Sequence, residues 1–208
     1  MSTADTFLSL VTLWLVAIVT PGPNMMLFTA IGLSSSRAAI AAAAGGILLG
    51  TAAWGFAGLF GLFWLFETFP PLALAIKLAG GAYLVWKGFQ IVRGSIRSRD
   101  ANGTVAPRPA TAPRRAFVAG LLTNLGNPKS LVFVTSLFAV THLAEKPLSI
   151  GLAGVAVMVA MSATYYAIFA LMLRATPFAR GEGRLKRAVG VVVGATMMIF
   201  GARMAFER

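Results

Sequence analysis

The sequence predicts an all-α integral membrane protein: six transmembrane helices forming two inverted-topology three-helix repeats, with the first and fourth helices interrupted. Three observations carry this. The 208 residues are 58% hydrophobic and 12% charged, with a mean hydropathy of +0.81. A soluble domain carries roughly 25% charged residues, so the apolar excess is larger than a core would absorb. The apolar residues gather in six segments, each near the ~20 residues that a helix needs to cross a bilayer. Two of these segments are broken by proline-bearing motifs, TPGPN at 20–24 and GNPKS at 126–130. No run shows the alternation of a transmembrane barrel.

The first span covers about residues 6–33 and contains TPGPN. Asp5 is the only charge before it, whereas a signal peptide opens on a basic region and has a shorter apolar stretch, so a retained helix is expected. The second span, 38–66, carries Ala42, Gly46, Gly50 and Gly58 in one four-residue register, a row suited to close helix packing. The third, 71–93, contains GAYLVWKG, with Lys77 near its outer start, placed to snorkel. The fourth, 115–141, contains GNPKS; the fifth is 147–173; the sixth, 185–206, contains GATMMIFG. Residues 95–114 hold Pro107, Pro109 and Pro113 with little apolar bulk, and are expected to form a mobile cytoplasmic linker. The organisation is therefore residues 1–94 as the first repeat, 95–114 as linker and 115–208 as the second repeat, with no soluble domain appended.

Charge sets the direction. Net charge is +12, which in a soluble chain would suggest nucleic acid. Here the basic residues lie in gaps between apolar segments and form no amphipathic face, so no nucleic-acid partner is expected. Thirteen of the eighteen fall on the side of the 34–37, 94–114 and 174–184 loops; Lys77, Lys146, Arg203 and Arg208 fall on the other, and Lys129 stays within the membrane. The positive-inside rule then places both termini and the 67–70 and 142–147 turns outside.

Both GAYLVWKG and GATMMIFG read Gly-Ala, five residues, Gly, and the proline breaks fall at similar depths in the first and fourth spans. These matches suggest an internal repeat. Three spans per repeat make the second half enter the membrane from the opposite side, the plan of many secondary transporters, with binding at interrupted helices near the midplane.

At the first break Gly22 ends one half-helix and Pro23 begins the next; at the second Asn127 is a good N-cap and Pro128 suits the first helical position. Backbone groups opened there must face protein or a water-filled cavity. The candidate substrate-binding site is therefore Pro21, Gly22, Pro23, Asn24, Asn124, Asn127, Pro128 and Lys129, with Lys77, Trp54, Tyr83 and Tyr165 added to it. Lys129 lies too deep to snorkel and sits in the first turn of a helix, where the dipole disfavours a cation. All six acids (Asp5, Glu67, Asp100, Glu145, Glu182, Glu207) lie near span ends or in loops. Lys129 is thus either a neutral amine much of the time or the partner of an anion that comes and goes. Proline kinks are often architectural; the buried lysine is what makes the second break functional. Trp54, Tyr83, Trp86, Tyr165 and Tyr166 are candidates for a pocket wall, packing or interface anchoring. His142, at the outer end of the fourth span, reads as a surface residue.

Several classes fall away. With no cysteine the chain cannot be a thiol-disulfide carrier, and a metal-ion exporter would need carboxylates, histidines or thiols within the spans. A non-transporting scaffold accounts for the spans and basic loops but gives no reason for Lys129. No enzyme activity, cofactor or metal site is expected.

TPGPN in the first span, KLAGGAYLVWKG (77–88) in the third and FVAGLLTNLGNPKS (117–130) in the fourth resemble the lysine exporter and homoserine/threonine resistance family of amino-acid efflux proteins, over essentially the whole chain. The resemblance implies efflux of amino acids or close derivatives through the bacterial cytoplasmic membrane, in exchange for protons. Its motif residues here are Pro21, Gly22, Pro23, Asn24, Asn127, Pro128 and Lys129, with Lys77, Gly81 and Tyr83 in the third span. A zwitterion suits the two breaks: its carboxylate fits half-helix N-termini and Lys129, its ammonium fits unwound carbonyls and asparagine oxygens. The mostly neutral lining favours a neutral or small polar amino acid. The partners expected are that substrate and the bilayer; the oligomeric state is open, a homodimer included.

Overall fold

The computed structural model describes residues 2–61, 68–96, 111–175 and 183–206. Glu67, the linker from Arg97 to Ala110, Arg180, Glu182 and residues 207–208 lie outside the described residues. Among the described residues the elements are α1 (Thr3–Val19), α2 (Pro23–Ser34), α3 (Arg37–Leu59), α4 (Pro70–Ile96), α5 (Pro113–Leu125), α6 (Pro128–Thr141), a 3₁₀ turn (Leu143–Glu145), α7 (Leu148–Ala175) and α8 (Gly183–Phe206).

Local chemistry explains most boundaries. Ser2 Oγ accepts from Asp5 N at 3.2 Å while Ser2 N donates to Asp5 Oδ2 at 3.1 Å, a reciprocal cap that starts α1. Ser36 caps α3 by accepting from Ala39 N. Proline occupies the first turn of α2, α5 and α6, where its missing N–H costs no helical bond. Asn127 caps α6, its Oδ1 accepting from Lys129 N at 3.0 Å. α6 ends on His142 in the left-handed region, φ +49°, with its N–H donating to Phe138 O. Several threonines within apolar helices return their hydroxyls to the carbonyl four residues back, as Thr29 does to Met25 and Thr141 to Leu137, which satisfies those hydroxyls without water.

α3, α4 and α7 are each long and apolar enough to cross a membrane, and α1 with α2 make a fourth crossing when the pair, bent by 53° at the break, is taken as one span. α6, with 14 residues, is apolar but shorter than a full span. The outward faces are apolar: Leu8, Leu15, Phe56, Trp86, Ile168 and Val192 are all exposed, which in water would be a liability and in lipid is the favoured state.

Backbone contact between small residues sets how the helices sit. Gly88 lies opposite Gly194 and Gly201 opposite Gly81, so the two Gly-Ala-x5-Gly segments pair antiparallel along α4 and α8. A Cβ at Gly88 would lie 2.5 Å from the Gly194 carbonyl oxygen. α3 runs beside α5 as closely: a Cβ at Gly46 would lie 2.0 Å from Phe117 O, and one at Gly120 would lie 2.3 Å from Ala43 O. Gly126, at the second break, abuts Gly80 of α4 at 2.8 Å by the same measure.

The breaks divide the core into two apolar clusters. One gathers Leu27, Phe28 and Ile31 of α2 with Ile40, Ala43 and Ile47 of α3, Ala116 and Ala119 of α5, and Tyr166 of α7. The other gathers Leu10, Trp14 and Ala17 of α1 with Trp54 of α3, Val134, Leu137 and Phe138 of α6, and Val155 and Met158 of α7. On α3, Thr51 falls between Ile47 and Trp54; on α7, Ser162 falls between Met158 and Tyr166. A polar layer therefore lies between two apolar ones, level with the breaks.

Candidate functional site

A cavity occupies this layer. Trp14, Ala17, Ile18 and Thr20 line it from α1 and its end, Gly22, Asn24 and Met25 from the start of α2, and Ile47 and Thr51 from α3. Asn124 and Asn127 flank the second break, Lys129, Ser130 and Phe133 come from α6, and Ser162 and Tyr166 from α7. Both broken pairs thus end on one small space.

Lys129 reaches from the first turn of α6 across to α1. Its Nζ donates to the carbonyl oxygen of Thr20, the residue that caps the C-terminus of α1, and lies 5.8 Å from the centre of the Phe133 ring. The ammonium that its own helix start disfavours sits at the negative end of another helix dipole. Among the described residues no carboxylate pairs with it. The stem crosses Gly22, where a Cβ would lie 3.1 Å from Lys129 Cδ. Gly22 is extended, φ −171°, a conformation open to any residue, so the glycine serves the close approach of the lysine rather than a special backbone shape.

Asn124 faces Lys129 chemically. It is 2% exposed; its Nδ2 donates to Thr51 Oγ1 at 3.3 Å and its backbone oxygen accepts from Trp54 Nε1 at 3.2 Å. Its Oδ1 has no hydrogen-bond partner, and neither has Asn24 Oδ1. Buried acceptors without partners cost roughly 1–3 kcal/mol each, and where they line a cavity they call for a donor. Trp14 is fixed by Nε1 donating to Met158 O (2.9 Å) and Ser162 Oγ (3.1 Å), which holds its indole as a rigid wall.

The structure brings Gly22, Asn24, Asn124, Asn127 and Lys129 together. Pro21, Pro23 and Pro128 shape the breaks without lining the cavity. Trp54 acts from behind Asn124; Tyr83 donates to Ala119 O at 3.4 Å on the flank of α5; Lys77 lies on α4, away from the cavity. Of the two adjacent tyrosines, Tyr166 lines the space while Tyr165 stacks on Phe169, centroids 5.8 Å apart. Sequence reasoning passed over Trp14, Thr51, Ser130, Phe133 and Ser162. Thr51 and Ser162 were detectable in principle, as hydroxyls midway along long apolar spans; Trp14 and Phe133 carry no such signal.

The family model described as LysE type translocator matches residues 15–208. The threonine efflux protein of Escherichia coli (strain K12) is 28% identical over 97% of this chain and 98% of its own length. The uncharacterized membrane protein YahN of the same strain is 30% identical, over 94% and 86%. The leucine efflux protein of Klebsiella pneumoniae is 29% identical over 58% of this chain and 56% of its own length. No solved structure matches the chain.

Proposed function

The chain belongs to the LysE type translocator family, and from that premise we propose that it exports amino acids or close derivatives, neutral or small polar ones, across the bacterial cytoplasmic membrane. The observation that carries this is the cavity shared by the two breaks: the second supplies a cation, Lys129, and an unpartnered amide oxygen, Asn124 Oδ1, and the first supplies another, Asn24 Oδ1. A zwitterion offers each its complement, with the carboxylate toward Lys129 and the helix N-termini and the ammonium toward the oxygens. Relatives named for threonine and leucine efflux support the cargo class.

In this reading six spans form two inverted repeats, 1–94 and 115–208, joined by the 95–114 linker. α1–α2 and α5–α6 act as the interrupted spans and α8 as the sixth. The antiparallel pairing of the two Gly-Ala-x5-Gly segments supports a pseudo-two-fold axis between α4 and α8. Both termini face outward. Export proceeds by one half rocking against the other, coupled to protons, with no cofactor.

The test is to load cells with amino acids as dipeptides and follow their appearance in the medium, comparing the intact chain, Lys129→Met and an empty vector. Export of one or a few amino acids at least about tenfold faster with the intact chain than with Lys129→Met is expected, the loss corresponding to ~1.4 kcal/mol or more of transport barrier. No faster export by any strain, with expression confirmed in the membrane, would sink the proposal in favour of a scaffold.

A further inference from the structure

An amino-acid site at the breaks has an occupant already, the chain's own lysine. Lys129 Nζ donates to Thr20 O, and the lysine stem fills the space over Gly22. What remains beside it is about 40 Å³ of space that water can enter, room for a few water molecules. Asn24 Oδ1 and the 2%-exposed Asn124 Oδ1 line the same cavity without partners. Of these acceptors in the cavity wall, the lysine ammonium meets Thr20 O and leaves both amide oxygens without a partner.

We propose that the carbonyl end of α1 is the ammonium subsite for the cargo, and that Lys129 fills it whenever no cargo is bound. This rests on the amino-acid reading above. The arriving α-ammonium displaces Lys129 Nζ from Thr20 O, and the freed lysine, still rooted in the first turn of α6, turns to the carboxylate of the same molecule. One side chain is thus placeholder in the empty state and clamp in the loaded one. The carbonyl end never stands bare at membrane depth, where lipid cannot satisfy a backbone acceptor. The empty and loaded carriers keep the same charge at the break, so the empty form can return through the same rearrangement.

The test uses the purified full chain in detergent and methylammonium chloride as probe, with sodium chloride at equal concentration as control. In Lys129→Ala the placeholder is gone and the subsite open. Methylammonium should raise its melting temperature by about 2–4 °C near saturation while leaving the intact chain and Lys129→Met unmoved. An equal response in Lys129→Ala and the intact chain would overturn the proposal. Should Lys129→Ala fail to fold, Lys129→Cys gives the second measurement, because the chain has no other cysteine. Its 2-aminoethyl methanethiosulfonate adduct should melt near the intact chain, and its methyl adduct several degrees lower; equal melting of the two adducts would also overturn it. Melting does not depend on transport. A shift without export by the intact chain keeps the subsite and removes the amino-acid cargo; export without a shift removes the placeholder.

Discussion

Asn124 uses one end of its side-chain amide for structure and leaves the other without a partner: Nδ2 holds Thr51, while Oδ1 faces the cavity alone. A residue retained for packing alone would not keep an unmet acceptor at 2% exposure. Asn124→Leu removes that penalty together with one weak hydrogen bond, so melting should hold or rise by up to ~3 °C. Export should fall by about tenfold or more, for loss of an ammonium acceptor. Melting that drops sharply while residual export per folded molecule stays normal would make Asn124 a structural residue. The asparagine was legible in the sequence because an amide in an apolar span stands out. That Thr51 is its partner was not, since the two are far apart in the chain and meet only through the packing of α3 on α5.

Helices α3 and α5 show how much one position decides. Gly45 and Gly46 are neighbours in sequence and equal in composition. A Cβ at Gly45 meets the Phe117 ring at an ordinary 3.7 Å; at Gly46 it would stand 2.0 Å from the Phe117 carbonyl oxygen. Gly45→Ala should stabilise by roughly 0.5–1 kcal/mol, from helix propensity alone. Gly46→Ala must push two backbones apart and should destabilise by about 1–3 kcal/mol or more. Denaturation midpoints of the two variants check this, and similar values would mean that the α3–α5 seam is not closely packed. The sequence announced a small-residue row at Ala42, Gly46, Gly50 and Gly58. In the structure Gly46 and Gly50 meet α5, Ala42 packs partly buried against the core, and Gly55, outside that row, meets Val155 of α7. A helical row winds round its own axis, so which of its members face a given neighbour depends on the crossing of that neighbour.

Over the whole molecule the polar layer separates two apolar clusters, the arrangement that an alternating-access carrier needs if each cluster is to open in turn. The orientation we propose is testable because the chain is free of cysteine. Ala38→Cys at the start of α3 and Ala144→Cys in the 3₁₀ turn both lie at exposed positions. A membrane-impermeant maleimide added to intact cells should label Ala144→Cys and spare Ala38→Cys, and the reverse pattern would invert the topology. The bias of basic residues supplies the direction.

The sequence by itself determined the helical class, the apolar segments, the places where two of them break, the anomalous lysine and the family. All of these follow from rules that act within a few residues: apolar length, proline at a first turn, asparagine as a cap. Only the tertiary structure decided what Lys129 touches and which side chains share its space. The sequence asked for an anion or a neutral amine, and the structure answered with the carbonyl of Thr20, 109 positions away. It also put Tyr166 rather than Tyr165 at the cavity and added Trp14, Phe133 and Ser162. Those outcomes depend on how far each helix is rotated about its axis. Glycine contacts between helices fix that rotation, and no local pattern encodes it.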